Sequence, residues 1–218
     1  MGMTPKDASA YAREICGLAP VIPVLVVHDL AHAVPLAEAL VAGGLPVLEV
    51  TLRTPVALEV IRAMATVAGG VVGAGTLLTP ADVKAAKAAG ARFGVSPGVT
   101  DTLVAACEAE ELPLLGGIAT VGEAMRMLER GYEVAKFFPA EANGGAPALK
   151  SFAGPLPQVS FCPTGGVTAK NAPDYLKLPN VLCVGGSWVA DSARMKAGAW
   201  DEIEMLARDA SQLKGTKP

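Results

Sequence analysis

One short stretch, residues 133–141, contains residue types that could perform covalent chemistry. Its sequence, EVAKFFPAE, places Lys136 within an apolar run that ends at Pro139, which predicts a strand followed by a loop. Burial disfavours the charged form of a lysine, and a neutral lysine attacks carbonyl carbon. The alternative is a strand lysine that forms an ion pair with Glu133 or Glu141, which would favour the charged and unreactive form.

A carboxylate that could work with this lysine lies in the sequence LEVTLR at residues 48–53. Apolar and polar side chains alternate there, so Glu49 and Thr51 share one face of a predicted strand. A carboxylate that points into a core is costly without a partner. We predict Lys136 as that partner and Glu49 as the general acid/base, with a buried structural Glu–Lys pair as the alternative.

Two further polar residues follow predicted strands. Arg53 could hold a substrate carboxylate through two parallel hydrogen bonds, although a solvated arginine near a helix start is an equally simple interpretation. Thr76 follows the glycine-rich residues 73–75, which would let a ligand approach the backbone closely. The alternative for Thr76 is a turn that caps the next helix.

Glycine pairs end the last two predicted strands. They are Gly165-Gly166 and Gly185-Gly186, and the second pair is followed by Ser187. In many barrel enzymes, exposed backbone N–H groups after the last two strands form a phosphate site. Such groups can bind an anion even where no cationic side chain is near. A single glycine pair marks an ordinary turn, but two at successive strand ends favour phosphate binding.

The histidines and cysteines do not form a motif for metal binding. His28 and His32 are four residues apart, but the first ends a predicted strand and the second lies in the turn that follows, so we expect no metal there. The four cysteines contain no CxxC pair and are predicted to be reduced thiols of the core: Cys16, Cys107, Cys162 and Cys183.

The composition excludes several classes of protein. The chain has 218 residues and a net charge of −3, so it lacks the basic footprint of a nucleic-acid-binding protein. No apolar run reaches the length of a membrane span, and no signal peptide is visible, so we expect a cytoplasmic protein. Hydrophobic residues make up 51% of the chain and charged residues 18%, which favours a homo-oligomer that hides apolar surface.

Short apolar runs alternate with helical segments along the chain, which predicts βαβ units on a parallel sheet. Strands are predicted at residues 21–27, 46–51, 71–74, 92–96, 113–116, 133–138, 159–162 and 181–185. Helices are predicted at residues 5–17, 32–43, 55–67, 80–89, 101–109, 121–130, 146–152, 168–176 and 199–213. Threonines mark several helix starts, because Thr4 precedes Pro5, Thr79 precedes Asp82 by three residues and Thr120 precedes Glu123 by three.

This order of elements predicts an α/β fold of the (β/α)8 TIM-barrel type with an extra N-terminal helix. Residues 1–218 would form a single domain, and residues 215–218 are expected to fray. A doubly wound open sheet is the alternative, because the alternation alone does not distinguish a closed sheet from an open one.

Six motifs together resemble those of one known family. They are LEVTLRT at 48–54, GAGT at 73–76, SPG at 96–98, KFFPAEANGG at 136–145, FCPTGG at 161–166 and GGSW at 185–188. From about residue 18 to the end, the chain closely resembles the bacterial 2-keto-3-deoxy-6-phosphogluconate (KDPG) aldolases, which also act on 4-hydroxy-2-oxoglutarate. KFFPAE combined with LEVTLRT is a specific signature, whereas each glycine pair alone is not.

The resemblance implies a class I aldolase on a trimeric (β/α)8 barrel, with no metal and no cofactor, that serves the Entner–Doudoroff pathway. Its partners would be a small phosphorylated 2-keto acid substrate and two further copies of the chain, with no nucleic acid and no membrane. Such an enzyme cleaves KDPG to pyruvate and glyceraldehyde 3-phosphate, and 4-hydroxy-2-oxoglutarate to pyruvate and glyoxylate.

The resemblance also implies a role for each residue of the site. Lys136 would form the Schiff base and Glu49 would act as general acid/base. The substrate carboxylate would bind near Arg53 and Thr76. The implied contacts to the pyruvyl end are Pro97, Phe138 and Thr164. The implied contacts to the phosphate are Gly165, Gly166, Gly185, Gly186 and Ser187.

One departure is visible in predicted strand five, where the sequence reads Leu115-Gly116-Gly117-Ile118 and relatives often have Pro-Gly.

Two other functions would use the same glycine loops. A sugar-phosphate isomerase or epimerase would need a pair of side chains that act as catalytic bases and no Schiff-base lysine. A phosphosugar-binding protein would bind its ligand without turnover. Trapping of an imine distinguishes both from the aldolase.

Overall fold

The computed structural model describes residues 3–213, and the expectation of fraying at residues 215–218 lies outside this range. Within the described residues the strands match the predicted apolar runs, most of them shortened by a few residues. They are β1 (Val21–Leu25), β2 (Val47–Thr51), β3 (Val71–Gly75), β4 (Gly94–Val95), β5 (Leu114–Leu115), β6 (Gly117–Ile118), β7 (Val134–Phe137), β8 (Ser160–Pro163) and β9 (Val184–Gly186).

The helices follow the strands as the sequence predicts, with one addition, α9. They are α1 (Pro5–Gly17), α2 (Ala33–Ala42), α3 (Ala57–Met64), α4 (Pro80–Ala88), α5 (Asp101–Ala109), α6 (Val121–Glu129), α7 (Gly145–Phe152), α8 (Ala172–Leu176), α9 (Ser192–Ala197) and α10 (Trp200–Ser211). Short 3-10 turns precede α2 at Leu30–His32 and α7 at Glu141–Asn143. Of the described helices, none has the length and apolar character needed to cross a membrane.

Threonine side chains begin several of these helices. Thr4, Thr79 and Thr120 each accept a hydrogen bond from the backbone N–H three residues later, and the acidic side chain at that later position accepts one from the backbone N–H of the threonine. These capping boxes satisfy backbone donors that the first helical turn would otherwise leave free. The predicted helix starts at these three positions are therefore confirmed.

The strands form a curled parallel sheet, as the alternation of strands and helices predicts. One part has six strands in the order β5-β4-β3-β2-β1-β9, and the other has three in the order β6-β7-β8. Two isolated parallel bridges, Phe161 to Val181 and Thr164 to Gly185, connect β8 with the residues of the β9 region. All of the paired strands run in parallel, so their carboxyl ends lie at one edge.

Predicted strand five is two strands rather than one. Leu114 and Leu115 pair with β4, whereas Gly117 and Ile118 pair with β7. Gly116 lies between them, and its carbonyl accepts a 2.9 Å hydrogen bond from the backbone N–H of Lys136. The chain thus changes its pairing partner at the glycine pair Gly116-Gly117.

The hydrophobic core has two parts, one on each face of the curled sheet. The larger part packs the outer face of the strands against the helices. The smaller part lies inside the curl and includes Phe93, Val95, Val134 and Cys162 together with Ile15 of α1.

Helix α1 covers the amino ends of the strands. The backbone N–H of Glu133 donates to Ser9 Oγ at 3.0 Å, and Arg13 Nη1 donates to Ser160 Oγ at 2.9 Å. Glu133 directly precedes β7 and Ser160 opens β8. The opposite edge of the sheet, at the carboxyl ends, therefore remains for the candidate site.

Candidate active site

Lys136 and Glu49 meet inside the curl of the sheet. Lys136 Nζ lies 3.2 Å from Glu49 Oε1, and the two residues are only 5% and 3% exposed. Lys136 also lies 5.2 Å from the centroid of the Phe138 ring. Glu133 and Glu141, the other carboxylates considered from sequence, are both exposed, and Glu133 instead faces Arg13 at 4.0 Å.

Glycines provide the space around this pair. Gly73 and Gly75 lie on β3, in register with Glu49 and Thr51 of β2. A Cβ atom added to Gly75 would overlap the Glu49 carboxylate, and one added to Gly73 would overlap the Phe93 ring. Glycine at these two positions therefore leaves room for the Phe93 ring and for the Glu49 carboxylate, which a larger side chain would displace.

The backbone beyond β2 and β3 is fixed by hydrogen bonds to neighbouring strands. Thr54 Oγ1 donates to the carbonyl of Val27 at 2.7 Å, which holds the loop carrying Arg53. Arg53 is exposed, and among residues 3–213 no carboxylate forms an ion pair with it. Its guanidinium is therefore available for an external carboxylate.

Thr76 adopts a backbone conformation that is rare for its residue type. Its φ is 63°, in the left-handed region that a β-branched residue seldom occupies. The neighbouring residues hold it there, because Leu52 N–H donates to the Gly75 carbonyl at 2.8 Å and Leu77 N–H donates to the Val95 carbonyl at 3.0 Å. Such conformations concentrate at ligand-binding positions, where the surrounding structure maintains them.

The residues expected to contact the pyruvyl end follow β4, β7 and β8. Pro97 and Phe138 are half-buried, and Thr164 is 6% exposed. Thr164 Oγ1 lies 3.9 Å from Cys162 Sγ, and a Cβ atom added to Gly185 would overlap the threonine hydroxyl. Because Cys162 of β8 pairs in register with Lys136, Thr164, which directly follows β8, lies two residues closer to the open edge than the lysine.

Both glycine pairs lie at this same edge, but they differ in conformation. Gly165 and Gly166 have φ values of 99° and 78°, which L side chains rarely adopt. Gly185 and Gly186 end β9, where the Trp188 indole occupies the space that a Cβ atom on Gly186 would need. The Ser187 side chain that follows is exposed.

The cysteines are free thiols, and three of them cluster below the lysine. Cys16, Cys162 and Cys183 contact one another, and Cys16 comes from α1. Cys107 lies apart in α5, where burial raises its pKa to about 12.

The two histidines border a cavity of about 310 Å³ near the end of β1. His28 is exposed beside Asp29, while His32 stacks edge-on against Trp200 with ring centroids 5.4 Å apart. Within the described part of the chain, no group of three or more His, Cys, Asp or Glu side chains has an arrangement suited to a metal ion.

A family model described as KDPG and KHG aldolase matches residues 12–206 of this chain. The chain belongs to the KDPG and KHG aldolase family. It is 50% identical over 206 residues to the KHG/KDPG aldolase of Escherichia coli K12, a match that covers 94% of this chain and 97% of that protein. The resemblance inferred from the six sequence motifs is therefore confirmed.

Solved structures of aldolases in this family have the same architecture. The KDPG aldolase of Zymomonas mobilis ZM4 with 3-phosphoglycerate superposes with a TM-score of 0.88 at 51% identity, covering 93% of this chain and 96% of that chain. The KDPG aldolase of Legionella pneumophila superposes with a TM-score of 0.89 at 47% identity, covering 96% and 99%. The Legionella structure holds pyruvate captured at low pH as a covalent carbinolamine intermediate.

Sequence reasoning missed a polar pair next to the first glycine loop of this aldolase family member. Tyr175 Oη donates a short hydrogen bond to Glu141 Oε1, and Asn171 Nδ2 donates to the carbonyl of Gly166 at 3.1 Å. From sequence, Glu141 is a candidate partner only for Lys136. The residues of the pair are 34 positions apart and belong to no common motif, so no local sequence signal joins them.

Proposed function

We propose that this chain is a class I aldolase that cleaves KDPG to pyruvate and glyceraldehyde 3-phosphate. We further propose that it cleaves 4-hydroxy-2-oxoglutarate to pyruvate and glyoxylate. The observation that carries the proposal is a buried amine, Lys136, hydrogen-bonded to one carboxylate at 3.2 Å in a chain of the KDPG and KHG aldolase family. Relatives named KDPG aldolase and KHG/KDPG aldolase support both substrates.

In this proposal Lys136 attacks the C2 ketone of the substrate. The amine must be neutral to attack, and transfer of its proton to Glu49 along the 3.2 Å hydrogen bond supplies the neutral form. Glu49 then returns that proton to the C2 oxygen to form the carbinolamine. A second proton, taken by Glu49 from the carbinolamine nitrogen and passed to the same oxygen, lets the oxygen leave as water as the iminium ion forms. The Phe138 ring, 5.2 Å from Nζ, offers its electron-rich face to a cation at this position.

The iminium ion accepts the electron pair of the C3–C4 bond as that bond breaks. Loss of the C4 hydroxyl proton, through Glu49 and a water molecule, converts that carbon to the aldehyde of glyceraldehyde 3-phosphate. The enamine left on Lys136 takes a proton at C3, and water then hydrolyses the iminium ion to pyruvate and free lysine. Glu49 serves each proton transfer in turn, as expected of one carboxylate beside one amine.

The remaining contacts follow from the position of each residue along the open edge. The proposed carboxylate site is the free guanidinium of Arg53 with the backbone at Thr76. Pro97, Phe138 and Thr164 border the pyruvyl group. The phosphate is proposed to bind the backbone N–H groups of Gly165, Gly166, Gly185 and Gly186 with the hydroxyl of Ser187.

We also propose that the two parts of the sheet close into an eight-stranded barrel. Counting β5 and β6 as one strand interrupted at Gly116 gives eight, and the parallel bridges between β8 and the β9 region support closure on the other side. The helix α1 would be the extra N-terminal helix that closes the barrel at the amino ends of the strands.

Residues 1–218 would form one domain of a cytoplasmic homotrimer. Light scattering coupled to size-exclusion chromatography tests this oligomeric state.

An assay of KDPG cleavage tests the activity directly. The purified protein is incubated with KDPG, and pyruvate is measured by lactate dehydrogenase from the oxidation of NADH. We expect continuous pyruvate formation without added metal. Conversion of KDPG to an isomer without pyruvate would indicate an isomerase or epimerase, and saturable binding without any product would indicate a phosphosugar-binding protein.

A further inference from the structure

The first glycine loop is held by its carbonyl groups. The Thr164 carbonyl accepts from Ala140 N–H at 2.8 Å, the Gly165 carbonyl from Glu141 N–H at 3.1 Å, and the Gly166 carbonyl from Asn171 Nδ2 at 3.1 Å. The parallel bridge between Thr164 and Gly185 directs the Gly165 N–H toward the Gly185 carbonyl, whereas none of the described residues accepts a hydrogen bond from the backbone N–H of Gly166. The carbonyl groups of the loop are therefore bonded to the protein, and the backbone N–H of Gly166 remains as a donor for an external anion.

The side chain of Glu141 is the wall against which this loop packs. A Cβ atom added to Gly166 would lie 2.7 Å from Glu141 Cγ and 2.8 Å from Glu141 Cβ, so the loop contacts the apolar stem of the glutamate. The charged end lies elsewhere, because Oε1 accepts the hydroxyl of Tyr175. A Cβ atom added to Gly145 would lie 3.3 Å from both Glu141 Oε1 and Tyr175 Oη, so that backbone closes over the pair.

Tyr175 is a buried anchor for this arrangement. It is 1% exposed on α8, whereas Glu141 is exposed on its outer side, where a cavity of about 720 Å³ borders both residues. Burial, followed by the Glu141 carboxylate, raises the pKa of Tyr175, so its hydroxyl remains a donor. Helix α8 and the residue that precedes it thus hold the loop twice, through the bond of Tyr175 to Glu141 and through the bond of Asn171 to Gly166.

We propose that Tyr175 is a positioning residue for the phosphate end of the substrate. Its hydroxyl fixes the Glu141 carboxylate away from the loop while the glutamate stem supports Gly166. Without this bond the carboxylate is free to turn toward the backbone N–H of Gly166, where it would compete with and repel a phosphate. The inference rests on the proposed aldolase function and concerns only the phosphorylated part of the substrate.

The test compares Tyr175→Phe with Tyr132→Phe. Tyr132 is a matched control, because it is 2% exposed and donates to a glutamate, Glu108, at 3.2 Å, but it lies outside the site. We expect Tyr175→Phe to raise KM for KDPG about tenfold, as for loss of one hydrogen bond to a charged group, with kcat changed less than twofold. KM for 4-hydroxy-2-oxoglutarate should stay within twofold, and Tyr132→Phe should change neither KM.

Glu141→Gln and Glu141→Ala form the second comparison. The glutamine keeps an acceptor for Tyr175 and carries no charge, so its KM for KDPG should equal or fall below that of the unmodified protein. The alanine removes the stem and the acceptor, so its KM should rise about as much as with Tyr175→Phe. Because KM does not depend on the fraction of folded molecules, partial unfolding of a variant cannot imitate this pattern.

The outcomes separate this inference from the proposed function. If the unmodified protein neither cleaves KDPG nor forms a borohydride-trapped adduct with pyruvate, the aldolase function itself fails. If it does both and Tyr175→Phe leaves KM for KDPG unchanged, only the positioning role fails. An equal rise in KM for KDPG and for 4-hydroxy-2-oxoglutarate would also contradict it, because the effect would then not concern the phosphate.

Discussion

At the scale of single residues, the central feature is that Lys136 and Glu49 are buried together. Each charge would be costly to bury alone, and an internal pair without further chemistry seldom adds stability over apolar residues of similar size. Gly75 leaves room for the Glu49 carboxylate of this pair, and within residues 3–213 no carboxylate forms an ion pair with the exposed Arg53 beyond the end of β2. These features together favour chemistry over a purely structural pair.

Replacement of Glu49 tests its role as the group that moves protons. We expect Glu49→Gln to lower kcat for pyruvate formation by about 10²–10⁴-fold, because an amide cannot accept and return a proton. The assay is pyruvate formation from KDPG, with circular dichroism to show that the variant is folded. A variant with full kcat would mean that another group transfers the protons.

At the scale of elements, the position of the pair depends on glycines of β3. We expect Gly75→Ala to lower kcat by about 10²-fold, because the added methyl group would displace the Glu49 carboxylate from Lys136. Gly122→Ala in α6 is the control, because a Cβ atom there meets nothing within 4 Å. The control should keep full kcat, and a Gly75→Ala variant with full kcat would show that this glycine does not set the geometry.

Local sequence signals predicted most of these elements for clear physical reasons. The strands are apolar runs bounded by turn residues, and Thr4, Thr79 and Thr120 begin helices because their side chains satisfy free backbone donors. Likewise, Glu49 and Lys136 could be joined from sequence because each is a charged residue on a face that must be buried. Such signals depend only on neighbours in the chain.

The features that could not be predicted depend on contacts between distant segments. Strand five is interrupted at Gly116 because its two halves pair with different neighbours. The predicted helix at 168–176 begins only at Ala172, because the Asn171 side chain accepts from Thr168 N–H at 2.7 Å and donates to Gly166. The bond between Tyr175 and Glu141 likewise forms only after α7 and α8 have packed.

At the scale of the whole molecule, buried acidic groups predict a loss of stability in alkali. The folded protein keeps the proton of Cys107, whose pKa is raised from 9.0 to about 12, while the unfolded chain loses it above about pH 9. The unfolded state then binds fewer protons, so the free energy of unfolding falls as the pH rises through this range. One such group contributes on the order of 1.4 kcal/mol per pH unit.

Urea denaturation at pH 8, 9, 10 and 11 measures this dependence. We expect Cys107→Ala to lose less stability between pH 9 and 11 than the unmodified protein, although the substitution lowers stability at pH 8 by leaving a small cavity. Identical dependence on pH in the two proteins would show that Cys107 is not protected from ionisation in the folded state.

The most direct test of the aldolase mechanism is borohydride reduction in the presence of pyruvate, followed by peptide mass mapping. We predict one reduced pyruvate adduct per chain, on the peptide containing Lys136, and none in Lys136→Ala, which should also form no pyruvate from KDPG. An adduct on a different lysine would keep the imine chemistry but contradict the site. Pyruvate that binds without any adduct would contradict the class I mechanism itself.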